Sequence, residues 1–470
     1  MSGEPLHFWP ARRLRDAIAA GELSAVEVLE AHLERIEAVN PAVNAIVTLV
    51  PERALGEAAA ADARAASGRP LGLLHGLPVA VKDLMDTAGI RTTYGSPIYA
   101  EHVPEVDALI VQRLRAAGAI VIGKTNTPEF GAGSHTFNEV FGATRNPYDL
   151  GRSAGGSSGG AAAALAAGMV PIADGSDLGG SVRNPASFCN VVGLRPTRGR
   201  IASTRPGNAW DPMSLLGPMA RSVDDAALLL AALAGPDRRD PLAPDEDPLQ
   251  FAALPPVDLS GARVAWSAGV DGLPVEPEVT AALAPARAAL EALGAAVEEV
   301  EPDLADADEV FETFRALGFL EGHDEDVAAH PDLVKPEVVA DVARGAALSA
   351  RQINRAGALR TELFRRLAAF LGEYDLLALP TVQVAPFPVE WRWPRRVAGM
   401  EMERYYTWMR SCTRISSTAM PALSIPAGFT ADGLPVGLQL VGSHRGELDL
   451  LARAAALEAV LDAGSRRPLL

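Results

Sequence analysis

The chain has 470 residues, of which 48% are hydrophobic and 21% charged, a composition typical of a globular protein and not of a disordered one. Its formal net charge of −17 argues against nucleic acid and anionic membrane surfaces as partners, because both are bound through a basic face. Cys189 and Cys412 show no metal-ligand spacing, and the chain has neither a signal-peptide pattern nor an apolar stretch of membrane-spanning length, so we expect a reduced, cytoplasmic protein with no metal, no cofactor and no membrane partner.

The first part of the chain predicts alternating helices and strands. Ser24 and Glu27 form a capping box in front of a periodic helical segment. A buried strand at 76–84, GLPVAVKDL, is followed by an amphipathic helix at 107–118 and a second apolar strand at 118–125, GAIVIGKT. Alternation of this kind indicates an α/β layered fold.

The second half of the chain carries a weaker pattern. A Pro- and Asp-rich surface excursion at 235–258 precedes a strand, ARVAWSAG, and a helix, PEVTAALAPARAALEALG. Residues 303–396 are predicted to be mostly helical. Residues 421–442 predict two strands joined by a Gly-containing turn, with a closing helix after them.

Lysine is rare in this chain, because only Lys82, Lys124 and Lys335 are lysines among the 42 basic residues. A lysine can provide a neutral amine, which arginine cannot, since guanidinium stays charged in proteins. Lys335 lies in a polar stretch, where chance retention explains it. Lys82 lies inside the apolar segment LPVAVKDLM, where desolvation would shift its ammonium towards the neutral form.

The segment 151–183 carries the strongest chemical signal. Ser157 in GGSSGG and Ser181 in DLGGSVR stand on either side of an Ala-rich run, 24 positions apart. Glycine beside serine permits a sharp turn and leaves backbone N–H groups uncovered, and acyl transfer needs a nucleophilic oxygen next to such amides. A flexible Gly/Ser linker is the alternative, but a linker would not enclose AAAALAAGMV, which predicts a buried helix leading to a strand.

Two further motif matches are weaker. GAIVIGKT fits the phosphate-loop pattern, but its middle residues predict a strand where a phosphate loop would turn into a helix. GGSSGG fits GxSxG, centred on Ser157 or Ser158, and that chemistry needs a histidine from His323, His330 or His444. No local pattern marks any of these histidines as catalytic, so the nucleophile-elbow hypothesis stays the weaker one.

The chain resembles the amidase signature family, serine hydrolases with a Ser–cis-Ser–Lys triad, and within it the general bacterial amidases. The segments that carry the resemblance span nearly the whole length: ELSAVEVLEAHLERIEAVNPAVNAIVTL, GLPVAVKDLMDTAG, GKTNTPEFG, GGSSGG to GGSVR, PASFCNVVGLRPTRGRIA, MPALSIPAGF and GLPVGLQLVG. The resemblance implies an α/β amidase-signature fold with a large mixed central β-sheet and helices on both faces. It also implies one domain over 1–470, with its core at about 60–235 and 405–470 and a more variable substrate side at about 300–400.

By position, the resemblance assigns the nucleophile to Ser181, the serine after a cis peptide bond to Ser157, and the base to Lys82. Serine is a poor nucleophile until an adjacent base removes its proton. A buried lysine that is neutral near pH 7 can act as that base, with Ser157 relaying the proton. The resemblance therefore predicts amide hydrolysis through an acyl-enzyme on Ser181, without a histidine.

The resemblance also places an oxyanion hole at the backbone N–H groups of Leu178, Gly179 and Gly180, together with Ser181. Many members of the family carry Thr or Ser where this chain has Leu178. The main-chain N–H remains, so we expect the oxyanion hole to be kept while a side-chain hydrogen bond is lost.

Three further residues are expected to support the site. Asp177 and Arg183 bracket the nucleophile turn, and we expect an ion pair that holds this loop. Ser158 is expected to contact Lys82 as a hydrogen-bond partner. Cys189 lies near the nucleophile in sequence, and we expect it to be a buried, inert thiol.

Substrate choice is predicted from local aromatic density in a chain that is only 5% aromatic. An aromatic-walled pocket would favour apolar or aryl amides, with esters or carbamates as further substrates. Core packing is the alternative for at least some of these side chains. The predicted pocket residues are Phe130, Trp391, Trp393, Tyr405 and Trp408.

A second function stays open at this stage, that of the glutamine-hydrolysing component of an amidotransferase that acts in tRNA transamidation. Members of that branch carry an acidic residue before the PALS-like strand, where it would hold the glutamine ammonium. Here the segment RYYTWMRSCTRISSTAM has no carboxylate after Glu403. We therefore expect a small-molecule amide substrate, and a monomer or homodimer.

Overall fold

The computed structural model describes residues 4–205 and 207–470. A large β-sheet forms the centre of the fold. Within these residues the sheet has 11 strands. In chain order they are β1 (Ile46–Leu49), β2 (Pro78–Lys82), β3 (Ile120–Thr125), β4 (Ile172–Asp177), β5 (Val192–Arg195), β6 (Leu215–Ala220), β7 (Arg263–Trp266), β8 (Ala296–Glu299), β9 (Leu376–Pro380), β10 (Ala422–Phe429) and β11 (Pro435–Val441).

The sheet is mixed, and its strand order is β1-β3-β2-β4-β6-β5-β10-β11-β9-β7-β8. Strand β2 runs parallel to both β3 and β4, and β7 runs parallel to β8 and β9, whereas the other neighbours are antiparallel. The predicted α/β class with a large mixed sheet is confirmed. Because strands from both ends of the chain share one sheet, we propose that the chain is a single domain.

Helices flank the sheet along most of the chain. They are α1 (Ala11–Ala20), α2 (Ala25–Val43), α3 (Pro51–Ala66), α4 (Leu109–Ala116), α5 (Gly159–Ala166), α6 (Arg183–Phe188), α7 (Val223–Leu233), α8 (Pro277–Ala292), α9 (Ala307–Ala329), α10 (Pro336–Ala346), α11 (Ala350–Phe370), α12 (Arg410–Ser417) and α13 (Glu447–Glu458). In the part of the chain that the structure describes, no helix is long and apolar enough to cross a membrane.

Short elements occupy the connections. The 3₁₀ turns are Leu6–Phe8, Pro97–Tyr99, Glu129–Gly131, Pro248–Phe251, Thr407–Met409 and Asp462–Ser465. The two-stranded ribbons pair Phe137–Asn138 with Gly142–Ala143, Arg145–Asn146 with Asp149–Ser153, and Arg396–Val397 with Met400–Glu401.

Local sequence signals set several of these boundaries. The capping box is confirmed, because Ser24 Oγ accepts the Glu27 N–H at 3.0 Å and the Glu27 carboxylate accepts the Ser24 N–H at 2.7 Å. Helix α2 continues through Pro41 to Val43, past the end of the periodic segment. The segment GAIVIGKT forms strand β3, and its Lys124 donates to the carbonyl of Met85, so the phosphate-loop match is coincidental.

The Ala-rich helix α5 determines where the serines meet. Every residue of α5 is buried, and the helix packs against β4 and against neighbouring strands of the sheet. Small side chains allow this close approach of a helix to a sheet. The buried helix α5 and strand β4 therefore connect the Ser157–Ser158 motif to Ser181.

Candidate active site

Lys82 lies at the end of β2, where its side chain is fully buried. Its Nζ lies 2.8 Å from Ser157 Oγ, 2.8 Å from Ser158 Oγ and 3.0 Å from Ser176 Oγ. The predicted contact between Ser158 and Lys82 is confirmed. Ser176 is a third hydroxyl partner that the sequence interpretation missed.

The alternation of β4 explains why Ser176 reaches Lys82. Residues two apart in a strand point to the same face of the sheet, so Asp174 and Ser176 project from the same side of β4, which lies beside β2. The Asp174 carboxylate accepts the backbone N–H of Lys82 at 2.8 Å. Asp174 thereby fixes the backbone of the lysine, while Ser176 contacts its amine.

The electrostatic surroundings of Lys82 favour a neutral amine. Burial lowers the pKa of Lys82 from 10.5 to about 7, against the opposing attraction of the Asp174 and Asp177 carboxylates. A substantial fraction of Lys82 is therefore unprotonated at neutral pH, so its lone pair is available to accept a proton.

The two serine segments lie side by side. The Gly156–Ser157 peptide bond is cis, as the family resemblance implies, and Asn184 donates to the carbonyl of Gly156 at 2.9 Å. The N–H of Ser158 donates to the carbonyl of Ser181 at 3.0 Å. These contacts bring the backbones of the two serine motifs together next to Lys82.

The turn before Ser181 requires glycine. A methyl group on Gly179 would lie 2.6 Å from the ring of Phe311, and one on Gly180 would lie 2.5 Å from Cys412 Cβ. Gly180 also has a φ of +123°, a conformation that side chains disfavour. Glycine at both positions lets this turn pass close to its neighbours.

The backbone amides of the turn are not equivalent. The Gly180 N–H donates to the Asp177 carboxylate at 2.7 Å, so the expectation that it serves an oxyanion hole is corrected. Over the described residues, the N–H groups of Leu178, Gly179 and Ser181 have no hydrogen-bond acceptor. These three amides are therefore the ones available to a negatively charged oxygen.

A buried ion-pair network at Asp177 holds the turn before Ser181. Arg183 donates to both carboxylate oxygens of Asp177, at 2.9 and 3.0 Å, which confirms the predicted ion pair. Arg195 on β5 adds a second guanidinium, 3.2 Å from Asp177 Oδ1, which the sequence interpretation missed. Burial acts to raise the pKa of Asp177, but the two guanidiniums outweigh it and hold that pKa well below its usual value.

The five predicted pocket aromatics occupy different environments. Phe130 is partly buried and stacks on His323, and the ring of Tyr405 is buried beside Arg315. Trp393 is partly buried, and its indole N–H donates to the Met402 carbonyl. Of the remaining two, both tryptophans, one is fully buried and the other is half-exposed.

The burial of Trp408 corrects the aromatic-pocket expectation for that residue, and over the described residues no hydrogen bond or ring contact joins Trp391 to the serine site. Trp408 has no accessible surface, packs against Phe188 and donates its indole N–H to Ser134 Oγ at 2.9 Å, so it offers no face to a substrate. Trp391 is 51% exposed to solvent. The local density of aromatic residues predicted that both tryptophans line the substrate pocket. The fold instead buries Trp408 and leaves Trp391 half-exposed.

The wall nearest the turn combines residues from separate segments. Leu178 packs against two apolar clusters, one containing Phe311 and Tyr406, the other containing Phe319. Phe130 belongs to the same wall and precedes Gly131, where a methyl group would lie 3.5 Å from Ser157 Oγ. The Phe311 ring therefore borders the turn before Ser181, and the residue after Phe130 borders Ser157.

Comparison with known proteins gives the family. A family model described as Amidase matches residues 27–451. An acylamidase from Rhodococcus erythropolis is 38% identical over 474 residues, covering 100% of this chain and 98% of that protein. The chain belongs to the amidase signature family.

Two further members of the family show its range. The A subunit of the glutamyl-tRNA(Gln) amidotransferase from Moorella thermoacetica is 38% identical over 491 residues, covering 98% of this chain and 99% of that protein. A bacterial aryl acylamidase of the amidase signature family has a TM-score of 0.91 at 30% identity, covering 99% of this chain and all of that one. Membership thus establishes an amidase-type hydrolase.

Among the described residues, the histidine and cysteine side chains take no part in the hydrogen bonds around the Lys82 amine. His323 bonds to Asp326 at 3.4 Å and His444 to the Ala419 carbonyl at 3.2 Å. In the described part of the chain, no histidine forms a hydrogen bond with Ser157 or Ser158. Cys189 is buried as expected, and burial raises the pKa of its thiol.

Replacement of Asp174 should change the pH dependence of kcat/KM in this member of the amidase signature family. Because the Asp174 carboxylate raises the pKa of Lys82, Asp174→Asn should lower that pKa below about 7. If neutral Lys82 is the active form, the acid limb of the kcat/KM profile should move to lower pH, since less base is needed to remove the proton. The exposed Asp149→Asn variant is the control; an acid limb that stays in place or moves to higher pH in Asp174→Asn would contradict the role.

Proposed function

We propose that the chain hydrolyses the C–N bond of amides through an acyl-enzyme on Ser181, with Lys82 as the base and Ser157 as the proton relay. The observation that carries the proposal is the 2.8 Å contact between the buried Lys82 amine and Ser157 Oγ, beside the backbone of Ser181. Family membership and the acylamidase relatives support the same reaction class.

The hydrogen bonds around Lys82 support one direction of proton flow. A neutral amine has two N–H donors and one lone pair, and three hydroxyls surround it. Ser158 can direct its own proton to the Ser176 carbonyl at 3.4 Å, so its oxygen accepts from Lys82, as does Ser176 Oγ. The lone pair is then left for the hydroxyl proton of Ser157.

Acylation follows from this arrangement. Lys82 takes the proton of Ser157, Ser157 takes the proton of Ser181, and Ser181 Oγ forms a bond to the amide carbonyl carbon. Collapse of the tetrahedral intermediate breaks the C–N bond as the proton returns through Ser157 to the leaving nitrogen. Water then attacks the acyl-enzyme by the same relay and releases the acid.

The free amides of Leu178, Gly179 and Ser181 would stabilise the negative oxygen that forms during both steps. Each such donor contributes about 3 kcal/mol to lowering the barrier in comparable hydrolases. The ion pairs of Asp177 hold the turn that presents these amides.

The rings next to the turn support apolar or aryl amides as the substrate class, with esters or carbamates as further substrates. The ring of Phe130 and the side chain of Leu178, both partly buried, would cover the apolar part of such a substrate. We expect kcat/KM to rise from acetamide to longer acyl amides and to be higher for anilides than for glutamine.

Phe130→Ala tests this pocket. It should lower kcat/KM for an anilide about tenfold while changing acetamide turnover little, because about 50–60 Å² of apolar contact is lost at roughly 25 cal/mol per Å². The matched control is Trp391→Ala, an exposed aromatic that should leave both substrates unchanged. Equal loss for both substrates in Phe130→Ala, or glutamine turning over faster than any anilide, would contradict the pocket.

Glutamine hydrolysis within a tRNA-dependent amidotransferase is the second candidate, and the relative from Moorella thermoacetica favours it. Helix α12, which precedes β10, contains no carboxylate to hold a substrate ammonium. Glutaminase activity together with stable co-purification of partner chains would replace the first proposal by this one.

A further inference from the structure

Arg315, on α9, lies in an aromatic cage next to the site. The residue is only 5% exposed, and its guanidinium carbon lies 4.3 Å from the ring centre of Phe319, 5.0 Å from that of Tyr405 and 5.3 Å from that of Tyr406. We call these four residues the Arg315 cluster. A buried guanidinium among three rings is costly unless its donors are used.

Two polar atoms of the Arg315 cluster are buried without a partner. Over the described residues, neither Arg315 Nε nor the hydroxyl of Tyr405 makes a hydrogen bond. Other atoms of the same cluster are held, because Arg315 donates to Asp341 at 3.0 Å and the Tyr406 hydroxyl accepts from Arg404 at 2.9 Å. Each unsatisfied donor loses the hydrogen bond it had in water, so an acceptor brought by a ligand would restore it.

The Arg315 cluster adjoins the proposed oxyanion turn. Tyr406 packs edge-on against Phe311 at 5.3 Å, and Phe311 borders Gly179 of the turn. Leu178 packs on the apolar cluster that contains Tyr405 and on the one that contains Phe319. The unpaired donors therefore belong to residues that pack against the same apolar side chains as the turn.

Charge in this region favours an anion. Asp341 is shared by two guanidiniums, those of Arg315 and Arg344, so the three side chains carry one net positive charge. A carboxylate would accept from the free donors of both Arg315 and Tyr405 and would balance this charge. The ammonium of glutamine would be repelled by it.

We propose that Arg315 and Tyr405 form a polar anchor that binds a carboxylate carried by the substrate, at the far end of an otherwise apolar pocket. This specificity rests on the proposed amide hydrolysis. The substrate class is thus an amide whose acyl or amine part is apolar along most of its length and ends in a carboxylate.

Two matched substrate pairs test the anchor. On the acyl side, N-phenylglutaramic acid is compared with 5-methylhexananilide, in which an isopropyl group replaces the carboxylate. On the amine side, 4-acetamidobenzoate is compared with 4-isopropylacetanilide. In the wild type, kcat/KM should favour the carboxylate of at least one pair by about tenfold, and the pair that responds identifies the side of the substrate that reaches Arg315.

Arg315→Met should reduce this preference to about one, and Tyr405→Phe, which removes only a hydroxyl, should reduce it severalfold. Arg365→Met is the matched control: it removes an exposed guanidinium that pairs only with Glu362 among the described residues, and it should leave both activity and preference unchanged. Thermal unfolding of each variant identifies any loss caused by misfolding, and Tyr405→Phe keeps the test decisive if Arg315→Met does not fold.

No carboxylate preference in the wild type, or a preference that survives in both Arg315→Met and Tyr405→Phe, would overturn the anchor. Failure of the proposed function has a different signature, in which none of the four substrates is cleaved and a fluorophosphonate probe fails to label Ser181.

Discussion

Ser181→Ala should abolish acyl-enzyme formation and lower kcat on the order of 10⁶-fold, the scale observed when a serine hydrolase loses its nucleophile. Ser157→Ala should be less severe, at about 10²–10⁴-fold, because the nucleophile remains but loses its proton relay to Lys82. The exposed Ser260→Ala is the control for serine replacement in general. The measurement is a single-turnover rate with a chromogenic anilide.

Mass spectrometry after fluorophosphonate treatment locates the nucleophile independently of rate. We expect the adduct on Ser181 in the wild type and in Ser260→Ala, and none in Ser181→Ala. An adduct on Ser157 or Ser158 would contradict the proposal and revive the nucleophile-elbow hypothesis, with His323, His330 and His444 as the candidates for its base.

Local patterns predicted the elements that carry the site. The capping box at Ser24 and the apolar runs around Lys82 and at 118–125 act over a few residues, so the sequence displays them directly. Such local patterns do not predict the strand order, because that order depends on which segments distant in the chain pair with each other. Strand β9 shows this: it lies in a region predicted to be mostly helical, yet it joins the sheet between β7 and β11.

The same limit separates the predicted from the missed site residues. Short local motifs contain Ser157, Ser181 and Lys82, and each motif can be recognised without knowledge of the fold. Arg195 on β5 and Asp177 on β4 belong to strands that follow each other in the chain but are separated in the sheet by β6, so no local pattern predicts their contact. Ser176 could have been found, because it lies next to the predicted site residue Asp177 on the strand that leads to the nucleophile turn.

Aromatic density was the weakest signal, for a physical reason. An aromatic ring is favourable in a core, in a pocket wall or on a surface beside arginine, so composition alone does not separate these environments. Trp408 fills the core, Trp391 faces solvent, and only the fold distinguishes them from Phe130 beside Gly131. Arg315 was missed because its partners come from α9, α10 and the segment before α12.

Lys82→Arg should be almost as inactive as Lys82→Ala, with both losing about 10⁴-fold in kcat/KM, because arginine keeps its proton and leaves Ser157 no base. The wild-type rate should rise with pH through the Lys82 pKa of about 7, since the folded-state pKa is depressed and the protonated amine below it cannot accept a proton. The limb belongs to the coupled Lys82–Ser157 system and not to a histidine.

Lys335→Arg is the matched control for this replacement. Lys335 is also a partly desolvated lysine, but it donates to the Ala132 carbonyl at 2.8 Å, which a guanidinium can do as well. We therefore expect Lys335→Arg to stay within about threefold of wild type, because its lysine serves as a hydrogen-bond donor. If Lys82→Arg matched that behaviour, Lys82 would be acting as a fixed charge, and the base of the reaction would have to be sought elsewhere.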